Sequence, residues 1–283
     1  MKKALVLEGG ASRGYFSVGI MDVFMEQNIS FQYLIGTSAG IANGVSFASG
    51  QIGRGYRIGT EFMQDKRYMG VKHLLNPKNK SLYNIDFVFN QLPNKYLPYD
   101  YEALKAFGED VYAVATNLES GEAEYLPVRA DDKKCRAILA SCALPILFPE
   151  IEVNGKLYMD GGISDPIPVE KALKDGCEKA VVILTRERSY IKEEEKALKL
   201  AAFKYRKHPN FKDALKKRTE VYNLSHQKVL DLERKGEIFV LAPEDTKAWG
   251  RTDSDPEKIK QIYNEGREVA TKNLENLKKY LEK

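Results

Sequence analysis

Ser38 lies at the centre of a G-x-S-x-G motif, residues 36–40, which closes the apolar run 31–35 and opens a segment of small residues. A strand that turns sharply into a helix here would expose the Ser38 hydroxyl at its apex. The flanking Gly36 and Gly40 let the backbone reverse, and a helix N-terminus favours developing negative charge. The motif indicates a nucleophilic serine, and its other interpretation is an ordinary glycine-rich strand–helix turn.

A second glycine-rich turn, residues 9–14, follows the buried strand predicted for residues 3–7 and precedes a helix predicted for residues 15–27. The turn matches neither of two common phosphate-binding motifs. A phosphate loop needs Lys and Ser/Thr where Tyr15 and Phe16 stand, and the dinucleotide fingerprint G-x-G-x-x-G is absent. The turn is either a tight strand–helix connection or a nest of backbone N–H groups that binds an anion or an oxyanion.

Asp160 ends a predicted strand and precedes Gly161 and Gly162, which leave its carboxylate room to approach another backbone turn. The same position also suits a simple cap or turn former. If parallel strands bring the two glycine turns together, Ser38, an N–H cradle and a carboxylate can face one carbonyl group. This arrangement is the geometry of acyl transfer, so the three motifs together indicate serine ester chemistry.

In order and local context, the motifs at residues 9–14, 36–40 and 160–162 resemble those of the patatin-like phospholipase family. The similarity extends to Ala-Ser-Cys-Ala-Leu-Pro at residues 140–145 and to Asp-Pro-Ile-Pro at residues 165–168, and it covers about residues 3–185. The resemblance implies a three-layer α/β/α fold with a mostly parallel sheet. It also implies a Ser-Asp dyad without a catalytic histidine. Separately, the sequence contains no motif for a metal or other cofactor, and we expect none.

On this resemblance Ser38 is the nucleophile and Asp160 the general base of a serine acyl hydrolase that cleaves carboxylic esters of lipids. The oxyanion hole is implied at the backbone N–H groups of Gly10, Ala11 and Ser12, with Arg13 shaping or charging it. The supporting glycines are Gly9, Gly14, Gly36, Gly40, Gly161 and Gly162. The family usually has a third glycine where this chain has Ala11, and alanine resists positive φ.

Two other interpretations stay open. A Ser-His-Asp hydrolase would use His208 or His226, which follow Asp160 in the chain order of α/β-hydrolases. Both histidines, however, lie in predicted charged helices, where a single histidine is more often a surface residue. The third interpretation is a catalytically silent lipid- or acyl-binding protein on the same frame, and the presence of both Ser38 and Asp160 argues against it.

Composition excludes several classes. The 283 residues are 43% hydrophobic and 30% charged, which is typical of a soluble globular protein, and no apolar run approaches a membrane span. The N-terminal apolar segment is too short for a signal peptide, and three cysteines without a C-x-x-C suit a reducing compartment. We therefore expect a cytoplasmic protein. The three histidines are far apart, so no zinc site is expected.

The chain divides into a predicted catalytic core, residues 1–188, and a charged helical region, residues 189–283, which returns one strand to the core at about residues 237–241. Further predicted elements are strands at 31–35, 111–116, 122–128, 151–153, 156–159 and 179–185, and helices at 132–141, 165–175, 192–207, 211–235 and 256–281. Helix starts are indicated by Asp165-Pro166 and Asp255-Pro256, and His208-Pro209 separates the helices predicted at 192–207 and 211–235.

Residues 189–235 contain thirteen Lys or Arg and seven Asp or Glu. The first interpretation of this stretch is a solvated helix face. The second is peripheral contact with an anionic membrane surface, because apolar residues alternate with the basic ones at Phe203, Tyr205, Phe211 and Leu215. A nucleic-acid partner is not predicted, since no recognised binding module accompanies the charge. The oligomeric state and the acyl-chain preference are not encoded in these patterns.

Overall fold

The computed structural model describes residues 1–108, 110–194 and 202–282. Its centre is a sheet of eight strands. They are β1 (Lys3–Leu7), β2 (Tyr33–Thr37), β3 (Val111–Asn117), β4 (Ala123–Pro127), β5 (Ile151–Val153), β6 (Lys156–Asp160), β7 (Lys179–Ile183) and β8 (Phe239–Leu241). The sheet order is β5-β6-β3-β2-β1-β7-β8, and β4 also pairs with β3.

The middle of the sheet is parallel, from β3 through β2, β1 and β7 to β8, whereas β4, β5 and β6 make antiparallel pairs. β1 lies between β2 and β7, so the loops that follow β1 and β2 leave the same edge of the sheet. In open parallel sheets, ligand sites form outside this carboxyl edge. The topology therefore brings the two glycine-rich turns together.

Helices cover both faces of the sheet. They are α1 (Tyr15–Glu26), α2 (Ala39–Ala48), α3 (Arg54–Arg57), α4 (Val71–Leu74), α5 (Tyr101–Phe107), α6 (Arg136–Cys142), α7 (Val169–Lys174), α8 (Pro209–Arg234) and α9 (Pro256–Glu282). Single turns of 3-10 helix occur at Ala11–Gly14 and Gly161–Ile163, and π-helical segments occur at Ile58–Phe62 and Phe87–Tyr96.

The side chains of β1 point alternately to the two faces of the sheet, and each face has its own core. Leu5 and Leu7 point into a large core with residues of α1, α2, α6 and α9, while Ala4 and Val6 point into a second core with residues of α7 and the C-terminal part of α8. Burial of both faces accounts for the continuous apolar strands of the parallel sheet. The predicted three-layer fold with a mostly parallel sheet and an added C-terminal helical region is confirmed.

α9 packs on α1 through direct backbone contact. A Cβ atom on Gly19 would lie 2.0 Å from the Tyr263 carbonyl oxygen, and one on Gly266 would lie 2.1 Å from the Phe16 carbonyl oxygen. The two glycines let the helices approach more closely than any side chain would permit. The C-terminal helix is therefore tightly joined to the helix that follows the first glycine turn.

Several boundaries differ from the predicted ones. β2 spans Tyr33–Thr37 instead of residues 31–35, and α6 begins at Arg136 instead of residue 132. The predicted helix start at Asp165-Pro166 is wrong, because α7 begins only at Val169. The Asp165 carboxylate accepts a hydrogen bond from the Tyr125 hydroxyl at 2.9 Å instead of capping a helix. A second proline at residue 168 further delays the helix.

The C-terminal elements follow the prediction more closely. α8 begins at Pro209 after His208, the short parallel strand β8 joins β7, and α9 begins at Pro256, with Asp255 accepting the Glu257 N–H at 3.2 Å. Residues 195–201 of the helix predicted at 192–207 lie outside the described residues. None of the described helices combines the length and apolar composition that crossing a bilayer requires.

Burial removes most of the apolar face on which the predicted membrane contact depended. Tyr205, Phe211 and Leu215 are buried in the large core, and of the four apolar residues in that pattern only Phe203 is exposed, at 67%. Three of the four apolar residues in this pattern therefore belong to the core of the protein.

Candidate active site

Ser38 lies in the turn between β2 and α2 with φ 54° and ψ −124°, a conformation that costs a non-glycine residue about 1–3 kcal/mol. The Ser38 N–H donates to the Ser141 hydroxyl at 2.8 Å, which ties the turn to α6. Gly40 lets α2 begin close to β1, since a Cβ there would lie 2.6 Å from the Leu7 carbonyl oxygen. The strand–turn–helix arrangement predicted around Ser38 is confirmed.

Asp160 ends β6, which pairs with β3, and its side chain is 2% exposed. Oδ1 accepts the Gly162 N–H at 2.8 Å, whereas Oδ2 has no hydrogen-bond partner among the described residues. The next residue, Gly161, lies so close to β3 that a side chain would not fit, because a Cβ there would lie 2.1 Å from the Val114 carbonyl oxygen. One oxygen of the carboxyl group is thus held by a hydrogen bond, and the other has no hydrogen bond among the described residues.

Burial raises the pKa of Asp160 above its usual range. The positive charge of Arg218 and the nearby Ser38 hydroxyl oppose this rise. The described contacts include no hydrogen bond between the side chains of Ser38 and Asp160, and catalytic hydrogen bonds often become short only when substrate is bound. A carboxyl group with a raised pKa is a stronger base once ionised, as a serine nucleophile requires.

Cys142 is a further neighbour of Ser38. Burial raises the pKa of the Cys142 thiol, and the charge of Asp160 adds to the rise, while the Ser38 hydroxyl lowers it as a hydrogen-bond partner. The thiol is therefore protonated at neutral pH and is a poor nucleophile. Ser141 and Cys142 were part of the motif at residues 140–145, but nothing in their spacing predicted contacts with Ser38.

The first glycine turn lies directly against the serine turn. A Cβ on Gly9 would lie 3.0 Å from the Thr37 carbonyl oxygen, and one on Gly10 would lie 2.5 Å from the Thr185 hydroxyl oxygen. Ala11 adopts φ 49°, the left-handed conformation that a glycine would take without strain. The loop thus keeps a positive φ at the position where the chain departs from the family pattern.

Two of the four N–H groups in the predicted oxyanion loop have carbonyl partners. The Ser12 N–H donates to the Arg251 carbonyl at 3.3 Å, and the Arg13 N–H donates to the Gly10 carbonyl at 3.1 Å. The N–H groups of Gly10 and Ala11 donate to no other group within the described part of the chain. The loop therefore offers two adjacent free donors instead of three or four.

Two pockets meet at Ser38. The first has a volume of about 150 Å³ and an apolar lining that includes Tyr15, Met63, Phe89, Leu92, Ile138 and Phe148. The second is smaller, about 60 Å³, and contains Gly10, Ala11 and Asp160 together with several charged side chains. The polar pocket thus unites Ser38, Asp160 and the glycine turn, and neither His208 nor His226 lines either pocket.

Several residues of the polar pocket were not predicted, among them Glu8, Arg218 and Tyr222. Glu8 directly follows β1 and is 1% exposed, and its carboxylate accepts the Tyr222 hydroxyl at 2.7 Å. Arg218 donates to the Gly162 carbonyl at 3.2 Å. Arg218 and Tyr222 fall in register with the buried face of α8, which includes Phe211, Leu215 and Val229. Their helical spacing from these apolar residues was the signal in the sequence that could have placed Arg218 and Tyr222 on the buried face.

Two family models match the chain. Residues 5–173 match the model described as patatin-like phospholipase. This match spans more than half of the chain, from β1 into α7, and includes Ser38 and Asp160. Residues 208–282 match a model described as a domain of unknown function, DUF6363, which contains α8, β8 and α9.

Similar proteins come from bacteria and eukaryotes. The uncharacterized protein YjjU of Escherichia coli is 30% identical over 64% of this chain and 51% of its own length. Lysophospholipase NTE1 of Saccharomyces cerevisiae is 27% identical over 62% of this chain and 10% of its own length. Patatin-like phospholipase domain-containing protein 7 of Rattus norvegicus is 28% identical over 64% of this chain and 13% of its own length. The matched part thus spans about half of the first relative and little more than a tenth of the others.

Among solved structures, VipD from Legionella pneumophila aligns with 97% of this chain and 67% of its own, with a TM-score of 0.51 and 14% sequence identity. At this identity the likeness concerns the fold alone.

Proposed function

The chain belongs to the patatin-like phospholipase family, and from this premise we propose that it is a serine acyl hydrolase that cleaves carboxylic esters of lipids through Ser38 and Asp160. The observation that supports the proposal most is the composition of the polar pocket. It combines the Ser38 turn, the buried Asp160 carboxyl group with its unpartnered Oδ2, and the free N–H groups of Gly10 and Ala11. The adjoining apolar pocket suits an acyl chain.

In the proposed mechanism the Asp160 carboxylate accepts the Ser38 proton while the Ser38 oxygen attacks the ester carbonyl carbon. The Gly10 and Ala11 N–H groups stabilise the negative oxygen of the tetrahedral intermediate. The C–O bond to the alcohol then breaks, and the alcohol leaves with the proton held by Asp160. A water molecule, deprotonated by Asp160, then attacks the acyl-enzyme carbonyl. The bond between the acyl carbon and the Ser38 oxygen breaks, Asp160 returns its proton to the Ser38 oxygen, and the carboxylic acid is released.

Gly10→Ala should lower turnover about 10²-fold, which is the usual cost of losing one oxyanion donor. The added methyl group would collide with the Thr185 side chain and move the Gly10 N–H. The measurement is kcat for p-nitrophenyl hexanoate, beside thermal unfolding to show that the fold persists. Ser12→Ala is the matched control, because it adds no side-chain atom to the loop and so leaves the Gly10 and Ala11 N–H groups in place. If Gly10→Ala retains full activity, the oxyanion hole lies elsewhere.

Chain-length dependence tests the acyl pocket. An apolar cavity of about 150 Å³ holds a molecule of the size of benzene, so we expect kcat/KM for p-nitrophenyl esters to be highest at about six to eight carbons. Each methylene buried below that length should raise kcat/KM by up to about fourfold. Ala42→Leu narrows the pocket and should move the optimum to shorter chains. A flat profile in both proteins would contradict this assignment of the pocket.

The two rival interpretations are tested by the same assay. His226 is 3% exposed, and its Nε2 has no hydrogen-bond partner among the described residues. Its ring stacks on Tyr222, and burial lowers its pKa, which is consistent with a structural role. A histidine-dependent hydrolase would lose activity in His208→Ala or His226→Ala. A catalytically silent binding protein would hydrolyse no ester and would not react with a fluorophosphonate.

A further inference from the structure

The polar pocket is strongly cationic. Five basic side chains line it: Arg13, Arg186, Lys192, Arg218 and Arg251. The acidic side chains in the same lining are Glu8 and Asp160, and burial raises the pKa of both. Among the described residues the lining therefore holds an excess of basic over acidic side chains. The ester chemistry at Ser38 does not itself require this excess.

The arginines also crowd one another. Arg13 is 8% exposed, and its Nε has no hydrogen-bond partner among the described residues. Burial lowers the pKa of Arg13, the charges of Arg186 and Arg251 lower it further, and the charge of Glu8 opposes this change. The Arg186 Nε is likewise buried without a partner among the described residues, although Nη1 of the same side chain donates to the Thr246 hydroxyl at 2.6 Å. A buried N–H group without an acceptor is costly, and an anion with several oxygens would supply acceptors for both Nε atoms.

Much of this charge comes from outside the segment matched to the patatin-like family. Arg218 lies on α8 and Arg251 lies in the loop before α9, both within the segment of unknown function at residues 208–282. The segment is also joined to the oxyanion loop, because the Arg251 carbonyl accepts both the N–H and the hydroxyl of Ser12, at 3.3 Å and 3.2 Å. Its Tyr222 hydroxyl further orients Glu8.

We propose that the C-terminal segment completes a subsite for a phosphate group on the alcohol part of the ester, with preference for a terminal phosphomonoester. The inference rests on the proposed function: the acyl chain occupies the apolar pocket, the ester carbonyl lies at Ser38, and the phosphate of the leaving alcohol lies among the arginines. Arginine is well suited to such oxygens because its planar group donates two parallel hydrogen bonds.

Size and charge favour a terminal phosphate over a phosphodiester with a cationic head group. The pocket is about 60 Å³, which leaves little room beyond a phosphate. Its two acidic side chains have other roles, since Glu8 binds Tyr222 and Asp160 lies beside Ser38. No carboxylate of the described lining therefore remains to balance a choline or ethanolamine group.

The test compares three substrates with the same acyl chain: 1-octanoyl-glycerol 3-phosphate, 1-octanoyl-glycero-3-phosphocholine and 1-octanoylglycerol. We expect the wild-type kcat/KM to decrease in that order, with at least about a tenfold preference for the phosphomonoester over octanoylglycerol. Arg251→Gln retains the backbone carbonyl that binds Ser12 and should lower this preference ratio about 10–100-fold or to unity, the range for one hydrogen bond to a charged group. A general structural defect would lower both rates and leave the ratio unchanged.

Lys247→Gln is the matched control, because Lys247 is an exposed cation a few residues from Arg251 and does not line the pocket. It should keep the wild-type ratio. Inorganic phosphate should inhibit hydrolysis of p-nitrophenyl butyrate, and less so in Arg251→Gln. Inhibition by phosphate without preference for the phosphomonoester would overturn the leaving-group assignment. Equal rates on all three octanoyl esters would do the same, whereas absence of hydrolysis of every ester, including p-nitrophenyl butyrate, would instead refute the proposed function.

Discussion

Asp160→Asn should lower turnover of p-nitrophenyl hexanoate by about 10⁴-fold, as expected when the carboxylate partner of a serine mechanism is neutralised. The same change should raise the thermal stability of the protein at neutral and alkaline pH. The Asp160 carboxyl is buried and Oδ2 is unpartnered, so its ionised form destabilises the fold, and an amide of the same shape removes that charge. The measurements are kcat and Tm for both proteins.

The pH dependence has a defined sign. Because burial raises the pKa of Asp160 in the folded state, the protein gains stability as pH falls through that pKa and the carboxyl group takes up a proton. The Tm advantage of Asp160→Asn should therefore be largest at high pH and disappear below the pKa of the unfolded state. The wild-type kcat/KM should fall over the same acidic range, since only the ionised carboxylate can accept the Ser38 proton.

Asp165→Asn is the matched control for stability. Burial raises the pKa of Asp165 to about 6, and its carboxylate contacts Tyr125 instead of Ser38. It should change Tm with a similar pH dependence but keep activity. If Asp160→Asn retains wild-type turnover, Asp160 is not the general base, whatever its effect on Tm.

Ser38→Ala should abolish hydrolysis, with a loss on the order of 10⁵-fold or more in kcat, because the acyl-enzyme can no longer form. It should also abolish labelling by a fluorophosphonate. The exposed Ser120→Ala is the control and should be labelled normally. The comparison distinguishes an active hydrolase from a silent binding protein, since the latter would show no difference between the two variants.

Ser38→Gly gives a second, independent result. Glycine adopts φ 54° and ψ −124° without the cost that serine and alanine bear, so this variant should be as inactive as Ser38→Ala but have a higher Tm. The gain is reduced by roughly 0.4–1 kcal/mol, because glycine also has more freedom in the unfolded chain. A lower Tm for Ser38→Gly than for Ser38→Ala would show that the turn is not strained.

The sequence predicted the parts of the candidate site that depend on local patterns. A serine between glycines predicted the turn at residue 38, and the strand-end aspartate predicted the position of Asp160. Helix starts were less well predicted where proline and aspartate have other roles, as at Asp165, whose carboxylate binds Tyr125 across the sheet. A contact of this kind depends on tertiary packing, which the local pattern does not contain.

The basic part of the pocket could not be predicted for the same reason. Arg218 and Tyr222 lie in a highly charged helix, where side chains are usually solvated, and this charge obscured their register with the buried apolar residues of the helix. The hydrogen bond that the Ser12 N–H donates is even harder to predict from the sequence. Its acceptor is the carbonyl of Arg251, and backbone groups have no side-chain signature.

The hydrogen bond between Ser12 and Arg251 also has a consequence for biosynthesis, because the two residues are 239 positions apart. A ribosome that adds about 5–20 residues per second needs on the order of 10–50 s to cover this distance. A nascent chain in which Ser38 and Asp160 have already emerged still lacks the carbonyl that holds the first loop and the arginines of the last segment. If the proposed ester cleavage needs these contacts, it would begin only after the segment that contains Arg251 has left the ribosome.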